Sequence, residues 1–348
     1  METKIIRINP DCPDSDLIEE AAAYIRQGEL VGFPTETVYG LGGDARNNLA
    51  SHKIYQAKGR PSDNPLIVHI ADMESLYEIA EFVPESALAL AKFAWPGPLT
   101  MIFKKTDKIP LETTGGLDSV AVRMPSHKIA LELIKKSGGF IAAPSANTSG
   151  RPSPTLASHV YEDLQGKIPC IIDGGKVGIG IESTIVDFTE ETPTILRPGF
   201  LNSQQIEKVI GLVKVDEGLL EGNEQKPKAP GMKYRHYAPK AELTIIEGDL
   251  LEVVYKIRCL TEEGEKAGKK VGIIGSQETI FLYNQGIVKN IGSRRDELTI
   301  SGQLYQILRE FDEEKVDCIY SEAFQTPKMG QAIMNRLLKA AGHRVIKV

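Results

Sequence analysis

The sequence places two cations close together in a short polar segment, Lys58-Gly59-Arg60-Pro61. Lysine supplies a compact charge and arginine a forked set of donors. Together they can bind a triphosphate and stabilise the charge that develops during phosphoryl or nucleotidyl transfer. The same spacing also occurs on solvated surfaces without any function. Lys58 and Arg60 are therefore candidates for a phosphate clamp, and their role depends on what the fold places beside them.

Two further candidates lie within segments that are otherwise apolar. His69 belongs to the run 66–70 and Arg123 to the run 120–125. A histidine in such a run is more often a hydrogen-bonded core residue than a catalyst, and a buried arginine requires a partner. Arg123 fits a structural ion pair and a bidentate site for a substrate carboxylate equally well.

Small polar residues follow apolar or glycine-rich stretches at three places, and loops at strand ends commonly carry sites. Thr35 follows the apolar run 30–33, Ser145 and Asn147 follow another, and Ser183 follows a glycine-rich stretch. In the segment of Ser145 and Asn147, the hydroxyl, amide and backbone N–H groups can reach phosphate oxygens. Plain turns have the same composition, so these residues are candidates only in combination.

Several patterns that would define other proteins are missing or misplaced. The segment 40–45 fits the dinucleotide pattern G-x-G-x-x-A, but polar residues separate it from the preceding strand, which disfavours a nicotinamide site. The sequence has no G-x-x-x-x-G-K-[ST], H-E-x-x-H or G-x-S-x-G motif, which disfavours a P-loop enzyme, a zincin and an α/β-hydrolase. The four cysteines are far apart, so they offer neither zinc-site spacing nor a disulfide framework.

The elements that must position these residues alternate along residues 1–211. Apolar runs and helical spacing follow one another there, which predicts a mixed α/β domain, with residues 33–42 forming a polar loop after a strand. The predicted strands are the N-terminal segment and residues 30–33, 66–70, 99–104, 120–124, 140–143, 168–172, 183–188 and 194–196. The predicted helices are residues 15–28, 48–57 and 84–93.

The chain of 348 residues is long enough for a second domain. Periodicity fails over residues 212–240, where Glu, Gly, Lys and Pro dominate, so we expect a linker there. Residues 241–348 are expected to form a small βα-type domain. Its predicted strands are 242–247, 270–275 and 317–321, and its predicted helices are 302–313 and 330–341.

Composition also bounds the compartment and the partners. No segment has the roughly 18 to 20 apolar residues of a transmembrane helix, and the N-terminus lacks the apolar stretch of a signal peptide. We therefore expect a protein of the reducing cytoplasm that makes no membrane contact. A formal net charge of -6 disfavours autonomous binding of RNA, which requires a cationic surface.

Taken in order, the motifs resemble the threonylcarbamoyl-AMP synthase family of the YrdC type, with matching order and spacing over residues 1–210. The segments that carry the resemblance are 33–42, Lys58-Gly59-Arg60-Pro61, Trp95-Pro96-Gly97-Pro98-Leu99-Thr100, 120–125, Pro144-Ser145-Ala146-Asn147, Glu182-Ser183-Thr184 and Leu196-Arg197-Pro198-Gly199. Residues 229–239 and Ala332-Ile333-Met334-Asn335-Arg336 further resemble the longer, two-domain branch of that family. Each motif is weak by itself, whereas the ordered set is specific.

The resemblance implies a fold and a reaction. The fold is a catalytic domain on a twisted, open, mixed α/β sheet with a basic concave face like that of double-stranded-RNA-binding relatives, followed by a smaller Rossmann-like domain. The reaction is a nucleotidyl transfer in which threonine captures bicarbonate as a carbamate. The carbamate then attacks the α-phosphorus of ATP and releases diphosphate, normally with Mg2+. The product, L-threonylcarbamoyladenylate, serves the modification of tRNAs that read codons starting with adenosine, and a separate tRNA threonylcarbamoyl transferase consumes it.

The resemblance also implies roles for individual residues. The ATP-binding set is Lys58, Arg60, Ser119, Ser145, Asn147, Arg197, Tyr234, Arg235 and His236, of which Lys58, Arg60, Ser145 and Asn147 are also the catalytic candidates. The set that surrounds threonine is Thr35, His69, Arg123 and Ser183, with Arg123 the candidate for threonine's carboxylate. No residue is assigned to Mg2+. We expect the linker residues Tyr234, Arg235 and His236 to close over the site as a lid, which would exclude water from a labile mixed anhydride.

Two other functions are weighed against this one. The carbamoyltransferase of hydrogenase maturation contains a related domain, but its acylphosphatase domain and paired-cysteine zinc fingers have no counterpart in this sequence. A binding module for double-stranded RNA would use the same concave face without catalysis, which the acidic total disfavours. Salt-sensitive RNA binding without ATP turnover would support that module. The sequence leaves open the oligomeric state, the role of the second domain and a weak direct contact with tRNA.

Overall fold

The structure, a computed structural model, describes residues 1–216 and 236–348. These residues group into two compact units. The first unit holds the described residues up to 216, apart from Gly150–Pro152 and Ile179–Ile181. Those two short segments group with residues 236–348 in the second unit. All the residues of the phosphate and threonine sets that precede the linker lie in the first unit.

One mixed sheet of eleven strands organises the described part of the first unit. The strands are β1 Lys4–Arg7, β2 Val31–Phe33, β3 Gly40–Asp44, β4 Ile67–His69, β5 Leu99–Lys104, β6 Ser119–Arg123, β7 Ile141–Ala142, β8 Cys170–Asp173, β9 Thr184–Asp187, β10 Thr194–Arg197 and β11 Lys214–Val215. Their spatial order is β1-β8-β2-β3-β7-β4-β6-β5-β9-β10-β11. Parallel and antiparallel pairs both occur, as the sequence predicted for this domain.

The helices of this unit bury one apolar stripe each against the sheet. They are α1 Ser15–Arg26, α2 Asn48–Lys58, α3 Met73–Ile79, α4 Glu85–Ala94, α5 Lys128–Lys136, α6 Ala157–Leu164 and α7 Ser203–Ile210. Helix α1 shows why they form where they do. Asp14 caps its first turn by accepting from two backbone N–H groups, and Ile18, Ala21, Ala22 and Ile25 repeat at the spacing of one buried face.

The two faces of the sheet are covered differently. A large apolar cluster lies on one face and includes residues of α2, α3, α4, α6 and α7. On the other face, α1 and α5 pack over β1, β8, β2 and β7. Beyond them lies a small cluster that, among the described residues, consists of strand side chains alone: Ile67, Ile102, Ala121, Ile185 and Leu196. This part of the second face, over β4, β6, β5, β9 and β10, carries the candidate site.

The prediction of a polar loop over residues 33–42 is wrong at its end. Gly40–Asp44 forms strand β3, which pairs antiparallel with β2 and with β7. Its glycines gave the segment the composition of a turn, but they serve close packing. A Cβ on Gly42 would lie 2.8 Å from side-chain carbons of Ile141 and Phe33.

The second unit contains a smaller sheet of five strands, all parallel, in the order β14-β13-β15-β12-β16. Its elements are β12 Glu242–Glu247, α8 Leu250–Lys266, β13 Val271–Gly275, β14 Ile287–Asn290, α9 Glu297–Glu314, β15 Cys318–Glu322, α10 Gly330–Ala341 and β16 Val345–Lys347. Parallel strands joined through helices agree with the Rossmann-like domain that was expected. None of the helices described in either unit is both long and apolar enough to span a bilayer.

Candidate active site

Five side chains form a row across five neighbouring strands of the first unit. His69 pairs in register with Arg123, and Arg123 pairs with Thr100 on the other side. The Thr100 hydroxyl lies 2.8 Å from the Ser183 hydroxyl, and Arg197 donates to Ser183 from the next strand. The row therefore crosses β4, β6, β5, the start of β9 and the end of β10.

The alternation of side chains along β4, β6 and β5 puts His69, Arg123 and Thr100 on the face with the strand-only cluster. In β10 the register shifts between Ile195 and Arg197, so simple alternation does not place Arg197. In β6, Ser119, Ala121 and Arg123 share one face, whereas Val120 and Val122 point into the large core on the other. The directions of the strands bring the row to one edge of the sheet. The carboxyl ends of β4, β6 and β10 and the amino ends of β5 and β9 meet at the same edge, because parallel and antiparallel pairs alternate there.

Arg123 is held by a carboxylate that the sequence analysis did not assign. Its Nη2 donates to Oε1 of Glu36 over 2.7 Å, and the two side chains are only 5% and 14% exposed. The second carboxylate oxygen of Glu36 accepts from the backbone N–H of Ser126 at 3.2 Å. The Nε–H of Arg123 is buried and has no acceptor among the described residues. A buried guanidinium donor without an acceptor is costly, so this atom marks where a ligand oxygen would be stabilised.

His69 is a neutral imidazole in this setting. Burial, followed by the positive charge of Arg123, lowers the pKa of His69 to about 3. Its Nδ1 lies 3.2 Å from the carbonyl oxygen of Ile67, and its ring meets Phe33 edge to face. A neutral imidazole can exchange hydrogen bonds with a substrate hydroxyl or amine without adding charge to the site.

Ser183 lies between a hydroxyl and a cation. Arg197 donates from Nε to the Ser183 carbonyl at 3.0 Å and from Nη2 to the Ser183 hydroxyl at 3.1 Å. Both residues are buried, so their geometry is fixed. Arg197, which was expected at the nucleotide, thus lies directly beside a residue expected at threonine.

A second group forms around Lys58, the last residue of α2. Gly59 follows in the left-handed conformation with φ of 60°, which ends the helix there. Lys58 is 2% exposed, and its ammonium donates to the carbonyl oxygens of Ser145 and Asn147, with the Asn147 side-chain oxygen 3.4 Å away. The Ser145 hydroxyl donates to the same Asn147 oxygen at 2.5 Å. Three of the four catalytic candidates are therefore in direct contact.

Arg60 and Ser119 are two further members of the predicted ATP-binding set. The Arg60 guanidinium donates to the carbonyl oxygens of Asn64 and Pro65 in its own loop. Ser119 is half-buried at the far end of β6. It shares a face with Arg123 four residues away, or about 13 Å along the strand.

The loop after β2 connects the two groups. The Thr35 hydroxyl donates to the carbonyl of Val38 at 2.6 Å and accepts from the backbone N–H groups of Thr37 and Val38, so it closes the loop on itself. The same loop carries Glu36 toward Arg123. At its end, Gly40 forms a bridge with Ser145. Thr35 therefore shapes the segment that reaches both the Arg123 row and the Lys58 group.

The structure describes only one of the three residues of the predicted lid, His236. Tyr234 and Arg235 lie outside the described residues. His236 belongs to the second unit, where its ring lies 5.6 Å from that of Tyr237. Two residues of the site were missed by sequence reasoning: Glu36, which was noticed as part of a polar segment but given no role, and Thr100, which reads as an ordinary strand residue.

A row of cations and hydroxyls over an apolar sheet face, beside a polar loop held by a lysine, defines an α/β enzyme that binds small anionic substrates. The family described as "Telomere recombination" (Sua5_yciO_yrdC) matches residues 23–199, and that described as "Threonylcarbamoyl-AMP synthase, C-terminal domain" matches residues 201–342. The chain belongs to the threonylcarbamoyl-AMP synthase family, whose activity is a nucleotidyl transfer. This confirms the family that the motif order predicted.

Relatives match along nearly the whole chain. The threonylcarbamoyl-AMP synthase of Bacillus subtilis is 52% identical over 331 residues, which cover 95% of this chain and 94% of the relative. That of Pyrococcus abyssi is 51% identical, with 95% and 96% covered. The solved structure of Pyrococcus abyssi Sua5 complexed with L-threonine has a TM-score of 0.95 at 49% identity and covers 99% of this chain and 100% of that one.

Proposed function

We propose that the first unit condenses L-threonine, bicarbonate and ATP to L-threonylcarbamoyladenylate, diphosphate and water. The observation that carries this proposal is Arg123, a buried cation with an unmet donor, in a row with a neutral imidazole and a hydroxyl. Such a set suits an amino acid that carries both a carboxylate and a hydroxyl. Family membership and the threonine-bound relative support the same substrate.

Threonine would bind through the row. Arg123 would receive the substrate's carboxylate through Nε, which keeps that carboxylate away from the reaction and leaves the amine to react. His69 and Ser183 would exchange hydrogen bonds with the substrate's hydroxyl and amine. Thr35 acts through the loop it closes, because its own hydroxyl is engaged in that loop.

ATP would bind beside the Lys58 group. Ser145 and Asn147 would offer a hydroxyl and an amide to the phosphates, in a loop that Lys58 fixes in place. Arg60 would add a cation, and Ser119 and Arg197 are the remaining proposed contacts from the described residues. The proposed lid, with Tyr234, Arg235 and His236, would exclude water from the product.

The chemistry needs positioning and charge stabilisation but no covalent enzyme intermediate. The threonine nitrogen forms a bond to the bicarbonate carbon, and water and a proton leave to give the carbamate. A carbamate oxygen then attacks the α-phosphorus, and the bond from that phosphorus to the oxygen bridging to the β-phosphorus breaks. Diphosphate leaves with the electron pair. Cations near the phosphates stabilise the charge that moves onto that leaving group.

Magnesium is proposed as part of the ATP substrate. Within residues 1–216 and 236–348, no group of three or more His, Cys, Asp or Glu side chains could hold a metal ion. Mg2+ commonly keeps several waters and binds through substrate phosphates. Mg2+ would therefore enter the site with the phosphates of ATP.

The product would pass to a tRNA threonylcarbamoyl transferase, in the cytoplasm where ATP and tRNA occur together. The net charge of -6 favours delivery of a small molecule over tight binding of tRNA by this chain itself.

The test is diphosphate release by the purified protein with MgATP and bicarbonate, comparing L-threonine, L-serine and no amino acid. We expect release that requires threonine and bicarbonate, with the adenylate detected by mass spectrometry. Arg123→Met should raise the KM for threonine at least tenfold, which corresponds to about 1.4 kcal/mol. Arg26→Met, an exposed arginine of the same unit, is the matched control. Release that ignores threonine, or salt-sensitive RNA binding without any release, would contradict the proposal.

A further inference from the structure

Glu36 is fixed at both oxygens although the proposed reaction gives it no task. One oxygen accepts from Arg123 at 2.7 Å, and the other accepts from the Ser126 backbone at 3.2 Å. Ser126 stands three residues beyond Arg123 in the chain. Glu36 therefore holds both the backbone just beyond the end of β6 and the guanidinium that β6 carries.

Glu36 contacts only one of the two nitrogens on the side edge of the Arg123 guanidinium. A carboxylate that filled the side edge of a guanidinium would take Nε as well as one Nη nitrogen. Glu36 reaches Nη2, and within residues 1–216 and 236–348 the buried Nε–H has no acceptor. The ion pair thus fixes the guanidinium plane while leaving one buried donor for something else to satisfy.

The loop that carries Glu36 is itself rigidly closed. The Thr35 hydroxyl bonds to Val38, and Thr37 is fully buried with its hydroxyl 2.9 Å from that of Thr35. A side chain on such a loop can impose an orientation on its partner, because the loop has little freedom of its own.

We propose that Glu36 is a positioning residue, which acts through Arg123 to aim the free Nε–H at the carboxylate of the amino acid substrate. This deepens the proposed function and rests on it. Without the Glu36 charge, the guanidinium would lose its fixed plane and its buried counter-charge, and Nε would meet the substrate in fewer of its conformations. Binding of the substrate's carboxylate should weaken, whereas ATP, which would bind mainly beside the Lys58 group, should be unaffected.

The variant that tests this is Glu36→Gln, which keeps the shape and the acceptor for Ser126 but removes the charge. Binding is measured by calorimetry on the full chain with L-threonine, with 2,3-dihydroxybutanoate, which carries a hydroxyl in place of the ammonium, and with ATP. We expect both carboxylates to bind about tenfold more weakly, a change of about 1.4 kcal/mol, and ATP to bind as in the wild type. Glu132→Gln, which removes an exposed carboxylate paired with Lys135, should change none of the three affinities.

The other possible results distinguish failure of the proposed function from failure of the proposed role of Glu36. If the wild type binds no threonine, the proposed function fails, and the role of Glu36 fails with it. If the wild type binds threonine and Glu36→Gln binds it equally well, only the role of Glu36 is overturned. Weaker binding of threonine alone would mean a direct contact with the ammonium and would also overturn it. Should Glu36→Gln melt more than about 5 °C below the wild type, Glu36→Asp decides on the same criteria, since it keeps the charge but withdraws it by one methylene.

Discussion

Replacing Lys58 with methionine tests how the phosphate loop is built. Methionine keeps most of the length and the apolar stem of lysine but removes the ammonium. In the structure that ammonium is buried and lies against two backbone carbonyls and one amide oxygen of Ser145 and Asn147. The substitution would leave these three oxygens without the cation that holds them together.

The expected cost follows from these contacts. A hydrogen bond to a charged group contributes about 1.5–3 kcal/mol, and bonds that share one donor group are not additive, so we expect about 3 kcal/mol of lost stability in the first unit. For a domain of this size the melting temperature should fall by about 6–12 °C. Diphosphate release should fall at least 100-fold, as when one preorganised donor is removed from an active site.

The assay pairs thermal melting with threonine-dependent diphosphate release. Lys53→Met is the matched control, because Lys53 lies on the same helix, is 40% exposed and pairs with Glu29 at the surface. It should shift melting by about 1 °C or less. If Lys58→Met melts like this control while losing activity, Lys58 contacts the phosphates without holding the loop, and the reasoning from its buried contacts is refuted.

Two further predictions concern stability. Because the pKa of His69 in the folded chain is about 3 and the ordinary value is 6.5, the unfolded chain binds a proton that the folded chain refuses between these values, and stability should fall by about 2 kcal/mol from pH 6.5 to pH 5. Urea unfolding of His69→Gln should show a smaller fall, and an equal one would contradict the burial of a neutral imidazole. Gly42→Ala should cost about 1–3 kcal/mol in the same assay because its Cβ meets Phe33 and Ile141 at 2.8 Å, whereas Gly178→Ala, with nothing within 4 Å, should be close to neutral.

The sequence predicted strands best where apolar residues alone decide the structure. Strand 99–104 was predicted with the bounds it has, and so was 242–247. Strand β3 was missed because three of its five residues are glycines, whose composition indicates a turn. Only the tertiary packing of Phe33 and Ile141 explains why glycine is needed there, and no local pattern contains that information.

The residues of the site divide in the same way, into those that local patterns predict and those that only the tertiary fold brings together. Residue types and motif order were enough to name Arg123, His69 and Lys58 as candidates. The partner of Arg123 is Glu36, 87 residues away in the chain, and a separation of that length carries no periodic or local signal. The mixed strand directions that bring residues 69, 100, 123, 183 and 197 to one edge also depend on pairings that no segment specifies by itself.

A comparison of Lys58 with Arg123 distinguishes a cation that supports the local structure from one that is available to contact a ligand. Oxygens of Ser145 and Asn147 lie within hydrogen-bonding distance of the Lys58 ammonium, so its charge helps to shape the loop between them. Arg123 has five donors, of which the Nε–H is buried with no acceptor in the part of the chain that the structure describes. A buried donor without an acceptor destabilises the folded chain, and this loss of stability is removed when a ligand binds and satisfies the donor. We therefore expect the phosphates to be bound mainly by the loop that Lys58 holds in place, and the amino acid's carboxylate to be bound by Arg123 itself.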